Sequence, residues 1–520
     1  MERFGCIVVG ILDGKMEILV NHLRRRMKPL RVLGFATILL CPALASAQSP
    51  WQPVKHVPNI GGGAIALLTD GRVLVHDESG NPGTWGNWWT LTPDINGNYA
   101  NGTWTQVATM PPIYGPEAFG SAVLPDGRFI VEGGESNFGL EDDTTLGAIY
   151  DPVANTWTMV KPPSGWSTIG DGASVVLSNG TYMQASGRDN QPHAALLDPV
   201  GLTWSATGTG KFDPYTEEGL TLLPGGKVLD VDTYDQHNDP NGKNYELYDP
   251  ASGAWSVAGS TPVQLWDSAA NCGGQSSHEI GPAVLRPDAT VFATGANSCG
   301  AGHTAIYKVS SGTWTAGPDF PNGLDIADGP AALLPDGNVL MMTSPGIFQK
   351  GSVFFEWDGT KLNQVPGPPN GPSDPSFWGH MLVLPTGQIL FTDYRSDVEI
   401  YTSSGSPYPG IAPSALLVSA VLSRGSSIIL SGYKFNGASQ ACAYGDDFQC
   451  ATNYPIVRIT NKSTGHVFYC RTHGHSTMAV GYPGPTYTHL DIPSNMETGA
   501  SYLEVIANGI ASQKYQMVIE

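Results

Sequence analysis

The chain reads as an all-β protein, a seven-bladed β-propeller closed by an N-terminal strand and followed by a β-sandwich. Three observations lead there. Seven times a short apolar run breaks at a turn dipeptide and resumes: Asp70-Gly71, Asp126-Gly127, Asn179-Gly180, Gly225-Gly226, Asp288-Ala289, Asp336-Gly337 and Thr386-Gly387. The spacing, roughly 46 to 63 residues, is that of a propeller or similar array, and such dipeptides mark tight hairpins. Trp104, Trp157, Trp204, Trp255, Trp314 and Trp357 each follow their own turn, whereas Trp51 precedes the first turn and the seventh has none after it. The Trp51 strand is therefore expected to complete the last blade. Finally, no long 3.6-period stretch follows residue 48. Charged residues are sparse at 14% while Gly (64) and Pro (41) abound, as in chains of short strands joined by turns.

The first 47 residues read as a targeting segment. Arg24-Arg25-Arg26-Met27-Lys28 and Arg31 give a basic flank, Val32 to Leu40 an apolar run, and Ala45-Ser46-Ala47 a small-residue cleavage site. An ordinary signal peptide would start at Met27. The apolar run is short for a membrane span, and Cys41 follows Leu40 rather than a small residue, which argues against a lipid anchor. A secreted or periplasmic location is expected. The whole chain carries −20. Removing seven basic and three acidic side chains leaves 19 against 43, about −24, which argues against nucleic acid as a partner. A monomer is expected.

Each blade is read as a four-stranded meander. In residues 117–160 an inner strand, Phe119 to Leu124, turns at Asp126-Gly127 into Arg128 to Val131. Gly133-Gly134 follows, then Tyr150-Asp151-Pro152 and Trp157. The Asp-Pro-then-Trp spacing returns at Asp249-Pro250 with Trp255 and at Asp198-Pro199 with Trp204. Proline fixes its φ and cannot extend a ladder, so each Asp-Pro marks a turn. The recurring Trp is assigned to packing in the wedge between blades.

This topology puts the tight turns on one face and the long connections on the other. Trp85, Trp88, Trp89, Trp166, Trp266 and Trp378 all lie in or beside long connections, which suggests a face for stacking on flat ligands such as sugar rings. Just ahead of the inner strands stand Glu117, Asp171, Glu217-Glu218, His278-Glu279, Asp328 and His380. Equivalent positions of a ring must converge, so these form an acidic funnel at the channel mouth whose like charges raise one another's pKa or recruit a cation. Asp171, Glu117 and Glu279 are the catalytic candidates; Glu218, His278, Asp328 and Tyr114 join the six Trp as ligand-binding candidates. The run Asp230, Asp232, Asp235, Asp239 lacks calcium-loop spacing and reads as a solvated loop. From proximity in the chain, Cys272–Cys299 and Cys442–Cys450 are the expected disulfides.

The propeller is assigned to residues 48–403, a Pro/Gly/Ser linker to 404–413 and the sandwich to 414–520. Seven short strands in the last segment suit an immunoglobulin-like sandwich, with Cys442 and Cys450 flanking a loop that holds Tyr444-Gly445-Asp446-Asp447.

The repeats resemble kelch repeats. Signal segment, seven blades and sandwich together resemble the galactose oxidase and glyoxal oxidase family. So do the tail motifs Asn453-Tyr454-Pro455-Ile456-Val457-Arg458, Arg471-Thr472-His473-Gly474-His475-Ser476-Thr477-Met478 and Val505-Ile506-Ala507-Asn508-Gly509-Ile510. The resemblance implies copper held by two His and two Tyr, one Tyr crosslinked to Cys. His380 and His475 match the histidines. The axial Tyr position is Gly379, the radical Tyr position falls on Asp171, and the crosslinking Cys falls near Ala118; Tyr114 lies close by but has no partner Cys for the crosslink. No Cys–Tyr radical cofactor is therefore expected, though the His pair with Asp171 or Glu117 would suit copper or another divalent metal.

Two functional readings follow. One is a binding protein for an extracellular glycan or cell-envelope ligand. The other is an enzyme, either a metal-dependent oxidase of a small carbonyl or alcohol substrate at His380 and His475, or a carboxylate-based glycan hydrolase or lyase. A propeller scaffold for protein partners remains a third use.

Overall fold

The structure, a computed structural model, describes residues 49–188, 191–233, 242–267, 277–296 and 301–520. The targeting segment, Cys272, Cys299, Asp235 and Asp239 lie outside the described residues. Within 49–520, one compact unit, the described residues form seven antiparallel blades of four strands, the sixth joined by a fifth strand, Cys442–Ala443, together with a small sheet of Pro116–Glu117, Ser136–Asn137 and Leu140–Glu141 and two sheets of the sandwich. Blade one comprises Gly62–Leu67, Val73–Asp77, Trp88–Thr92 and Thr103–Gln106. Blade seven comprises His380–Val383, Ile389–Thr392 and Glu399–Tyr401 with Trp51–Pro53 as its outermost strand, in the register Trp51↔Tyr401. The N-terminal strand thus closes the ring, leaving no exposed gap between first and last blade. The seven inner strands touch in sequence, and the seventh meets the first.

The tight turns are built alike. Asp70, Asp126, Asn179, Asp288 and Asp336 each accept a hydrogen bond from the backbone N–H two residues on. The next residue is left-handed, with φ +80° at Gly71, +85° at Gly127 and +89° at Gly337. Ala289 holds the same conformation at φ +60°, where an L side chain is strained. The turn N–H of Gly71 bonds to Leu68 O and Leu68 N to Arg72 O. These are three-residue hairpins with a left-handed third residue, not two-residue ones.

The blade tryptophans clamp neighbours as expected. Trp157 and Trp204 donate their indole N–H to Ala108 O (2.8 Å) and Lys161 O (2.6 Å), each on the chain entering from the preceding blade. Trp157, Trp255 and Trp314 also face Tyr150, Tyr248 and Tyr307 across the strand pair at 5.1–5.2 Å. Trp357 departs from the pattern. It ends the third strand of blade six, Val353–Trp357, opposite Leu362, and stacks on Phe292 of blade five. Apolar volume in the wedge is kept, from a different strand.

The sandwich covers the tight-turn face. Thr472 N bonds to Thr69 O, His475 N to Pro125 O and Met478 N to Ser178 O, while the linker Tyr408 N bonds to Pro335 O. Every one of these acceptors sits at or beside a tight turn. The long connections are left on the opposite, open face.

Candidate functional site at the channel mouth

A loop of the sandwich segment threads the propeller axis. Gln440 Oε1 accepts from Leu222 N (2.7 Å), and Cys442–Ala443 pairs antiparallel with Ala331–Ala332 of the blade-six inner strand. Leu333 N then bonds to Ala441 O, Gly329 N to Tyr444 O and Phe448 N to Phe119 O. Backbone pairing lines the route, and small residues make it passable. A Cβ on Gly219 would lie 2.4 Å from Gly445 O, and one on Gly445 would meet Asp328 Oδ1 and Ile280 O at 3.0 Å. The loop therefore carries Asp446 and Asp447 from the tight-turn side to the far mouth of the channel.

There the structure brings four of the expected carboxylates, Asp171, Glu217, Glu279 and Asp328, around Asp446. Asp171, Glu217 and Asp446 place ligand oxygens within 4.8 Å of one another, as do Glu279, Asp328 and Asp446. Asp171, Glu217, Asp446 and Asp447 are buried, whereas Glu279, Asp328 and Glu117 are half-buried at the rim. Asp171 Oδ1, Asp328 Oδ1, Asp446 Oδ2 and Asp447 Oδ1 are sequestered without a hydrogen-bond partner. Asp171, Glu217 and Asp328 each stand eight residues before their tight turns, so the propeller symmetry aims them together. Glu217 and Asp328 do so from left-handed backbone, φ +57° and +47°, a strain that persists only where surrounding structure enforces it.

Arg188 faces this charge. It donates to Asp171 (2.9 Å), Glu217 (2.9 Å) and Glu135 (2.8 Å). The balance stays negative. Burial, and then the Asp446 charge, lift Glu217 to about 8 against the pull of Arg188. Burial with Glu78 and Glu135 lifts Glu117 to about 7. Asp171, Glu279, Asp328, Asp446 and Asp447 are all pushed well above the usual carboxylate range, by burial first and neighbouring carboxylates next. A set of oxygen ligands with orphaned lone pairs and excess negative charge suits a hard divalent cation.

The histidine pair does not assemble. His380 opens the blade-seven inner strand at the mouth, stacked on Tyr444 (5.3 Å) and edge-on to Phe448 (4.7 Å). Neither of its ring nitrogens completes a hydrogen bond, and burial holds its pKa down at about 4. His475 sits at the opposite end, beside Pro125, its Nδ1 2.9 Å from Thr488 Oγ1 and its ring parallel to Tyr454. An inner strand of about five residues at ~3.3 Å each separates the two levels. The residues present do not fit the copper radical group, and the element entering the channel is the 439–452 loop, not the His475 segment.

Other candidates move to structural roles. Trp88 is fully buried in a blade-one strand, parallel to His76 at 4.4 Å, and Trp89 is its strand neighbour. Trp85 is buried and its carbonyl oxygen lies 2.5 Å from His76 Nε2. Trp266 is buried, edge-on to the half-buried His278. The half-exposed tryptophans of the open face are Trp166, over His193, and Trp378, beneath Lys350 and Arg395. Tyr114 is buried and donates to Gly133 O. Glu218 turns away from the channel to Lys211, a buried ammonium that also meets Asp213, Asp230, Asp232 and Glu246 at 2.6–4.0 Å. The Asp230 and Asp232 carboxylates are thus sequestered, not solvated. Cys442 and Cys450 are buried free thiols, Cys442 Sγ lying 2.6 Å from Cys450 O. The pairing expected from chain proximity is not formed.

Sequence reasoning missed Arg188, Tyr394 and the role of Asp446 and Asp447. Two adjacent carboxylates at the tip of a long loop were a visible signal; their destination was not. Tyr394, left-handed at φ +62°, lies edge-on to His380 at 5.5 Å. It also lines a polar cavity of about 630 Å³ between blades seven and one, with Asp77, Ser79, Asn370, Arg395 and Asp397.

No family model matches the chain, and no curated protein does. Among solved structures, a fungal alcohol oxidase of the AA5 family, in complex with copper, is 14% identical and aligns over 91% of this chain and 98% of its own, TM-score 0.51. The extracellular domain of a putative hybrid two-component system from B. thetaiotaomicron aligns over 90% of this chain and 61% of its own at 11% identity, TM-score 0.46. The protein YjhT aligns over 68% of this chain and 96% of its own at 12% identity, TM-score 0.36. The first of these likenesses, at such low identity, is one of architecture. The chain has the fold of the galactose oxidase-like kelch propellers, with a carboxylate cluster at its channel mouth.

Proposed function

We propose that this chain is an exported protein that holds a hard divalent cation of the calcium class at the channel mouth and uses it to bind a hydroxylated ligand such as a glycan. One observation carries the reading: Asp446 lies within 4.8 Å of both carboxylate groups, with buried oxygens that have no other partner. Calcium takes six to eight oxygens, some of which vicinal hydroxyls can supply. Trp166 and Trp378, half-exposed on the same face, give apolar surfaces for ring stacking.

Calorimetric titration of metal-stripped protein with calcium chloride, followed by a soluble-polysaccharide panel with and without EDTA, tests this. Asp446→Asn is expected to weaken calcium binding at this site at least tenfold and to abolish the EDTA-sensitive ligand. Binding that is indifferent to both EDTA and Asp446→Asn overturns the reading. Catalysis is a second reading, favoured by the half-buried Glu117, held near 7 where a general acid works. Release of reducing ends from a bound polysaccharide, lost in Glu117→Gln while binding persists, would select it.

A further inference from the structure

A second group of carboxylates lies apart from the channel, in blade seven. Asp393 follows the strand Ile389–Thr392, and Glu399 begins the strand Glu399–Tyr401 that the N-terminal strand covers. With Asp397 between them, all three place a ligand oxygen within 4.8 Å of one another. Asp393 and Glu399 are only 1% and 3% exposed. Both oxygens of Asp393 and Oε2 of Glu399 make no hydrogen bond. These are buried, unpartnered acceptors, which fold stability tolerates poorly unless a proton or a cation answers them.

The nearby cation is already committed. Arg395 binds Asp374, itself fully buried, through both Nε (3.0 Å) and Nη2 (2.5 Å) to one oxygen, with its guanidinium 5.7 Å from the Trp378 ring. Its Nε reaches Asp393 only at 4.0 Å. Arg395 is thus spent on Asp374 and reaches only the edge of the triad. From the other side, Asn370 Nδ2 donates to Asp397. Asp397 and Asn370 also line the polar cavity of about 630 Å³, so the triad has buried ligands behind and an open side in front.

We propose that Asp393, Asp397 and Glu399 hold a second divalent cation, of the calcium or manganese class, at the wall of the cavity between blades seven and one, with its remaining coordination positions open to water or to an oxygen ligand in that cavity. The donor set is all oxygen, as hard cations require, and two of its members are anchored by the closing blade, Glu399 on a paired strand and Asp393 directly after that strand's partner. The proposal is independent of the channel-mouth reading, since the two sites share no residue.

Calcium titration of the metal-stripped full chain in an Asp446→Asn background isolates this site. One equivalent of calcium is expected to remain, and Asp397→Asn, a half-buried change that spares the blade core, is expected to weaken it at least tenfold. Crystals soaked in manganese chloride should show an anomalous peak bounded by Asp393, Asp397 and Glu399, lost in Asp397→Asn. If the Asp446→Asn protein binds no calcium and the soaked crystals show no peak there, the proposal fails. If calcium binding in that background is unchanged by Asp397→Asn, it fails as well, whatever becomes of the channel site.

Discussion

Lys211 lies 2.9 Å from Asp213 and Glu218 and 2.6 Å from Glu246, with Asp230 and Asp232 at 3.4 and 4.0 Å, and its ammonium lies 4.8 Å from the Tyr215 ring centroid. Burial pushes Glu218, Asp230, Asp232 and Glu246 up, and Lys211 is the group that holds them down; Glu246 still stands at about 7. Breaking a buried ion pair from one side typically costs about 3–5 kcal/mol because the stranded charge stays buried. Lys211→Met is therefore expected to lose about that much unfolding free energy at pH 7 in urea titrations. The carboxylates would then have folded-state pKa values raised still further above their unfolded ones, a stability contribution present at low pH and lost as pH rises. The loss should shrink at pH 5. Equal losses at both pH values would mean that packing around the lysine stem, not charge, is what the substitution removes.

At the level of elements, the threaded loop is the piece that turns a ring of carboxylates into a site. Its passage depends on Gly219, where a Cβ would come 2.4 Å from Gly445 O, a backbone atom that cannot swing aside. Gly219→Ala is expected to displace Gly445 and with it Asp446, lowering calcium affinity at the channel site at least tenfold while the blade-seven cavity is unaffected. Calorimetry on the variant checks this, with the far-ultraviolet spectrum as the control for folding. Unchanged affinity would show that the loop tip finds Asp171 and Glu217 by another route.

Across the whole molecule, the raised carboxylates make stability depend on pH and cations together. Glu117 at about 7, Glu217 and Asp393 at about 8 and Glu399 at about 9 all lie above the ordinary value. The stability each contributes is fully present below its unfolded pKa, near 4.5 for the glutamates and 3.8 for Asp393, and is lost as pH climbs through 7 to 9. The metal-stripped protein should therefore melt at progressively lower temperature from pH 5 to pH 9. A cation competes with those protons, so calcium should raise the melting temperature more at pH 8 than at pH 5, by about 2.7 kcal/mol of stability at a hundredfold excess over Kd. A calcium shift independent of pH would count against cation binding at these carboxylates.

What the chain determined locally was extensive. Turn dipeptides with an Asp acceptor and a left-handed Gly, apolar runs of strand length and a displaced Trp51 each act within a few residues or through a strict repeat, and they specify the seven blades and their closure. The same repeat was enough to forecast that Asp171, Glu279 and Asp328 converge, because symmetry supplies the third dimension. It was not enough for Glu218, one residue from Glu217, since the left-handed turn at Glu217 sends the two side chains to different cations, Arg188 and Lys211. Nor could it tell that Trp88 and Tyr114 would be interior, because burial depends on what packs above them. Only the tertiary structure decided that the sandwich sends Asp446 rather than His475 along the axis, and that Asp393 and Glu399 lie buried beside Asp397 at the edge of one cavity. The first joins residues hundreds of positions apart, and the second depends on how the connection between two strands of blade seven folds back on itself, where no period acts.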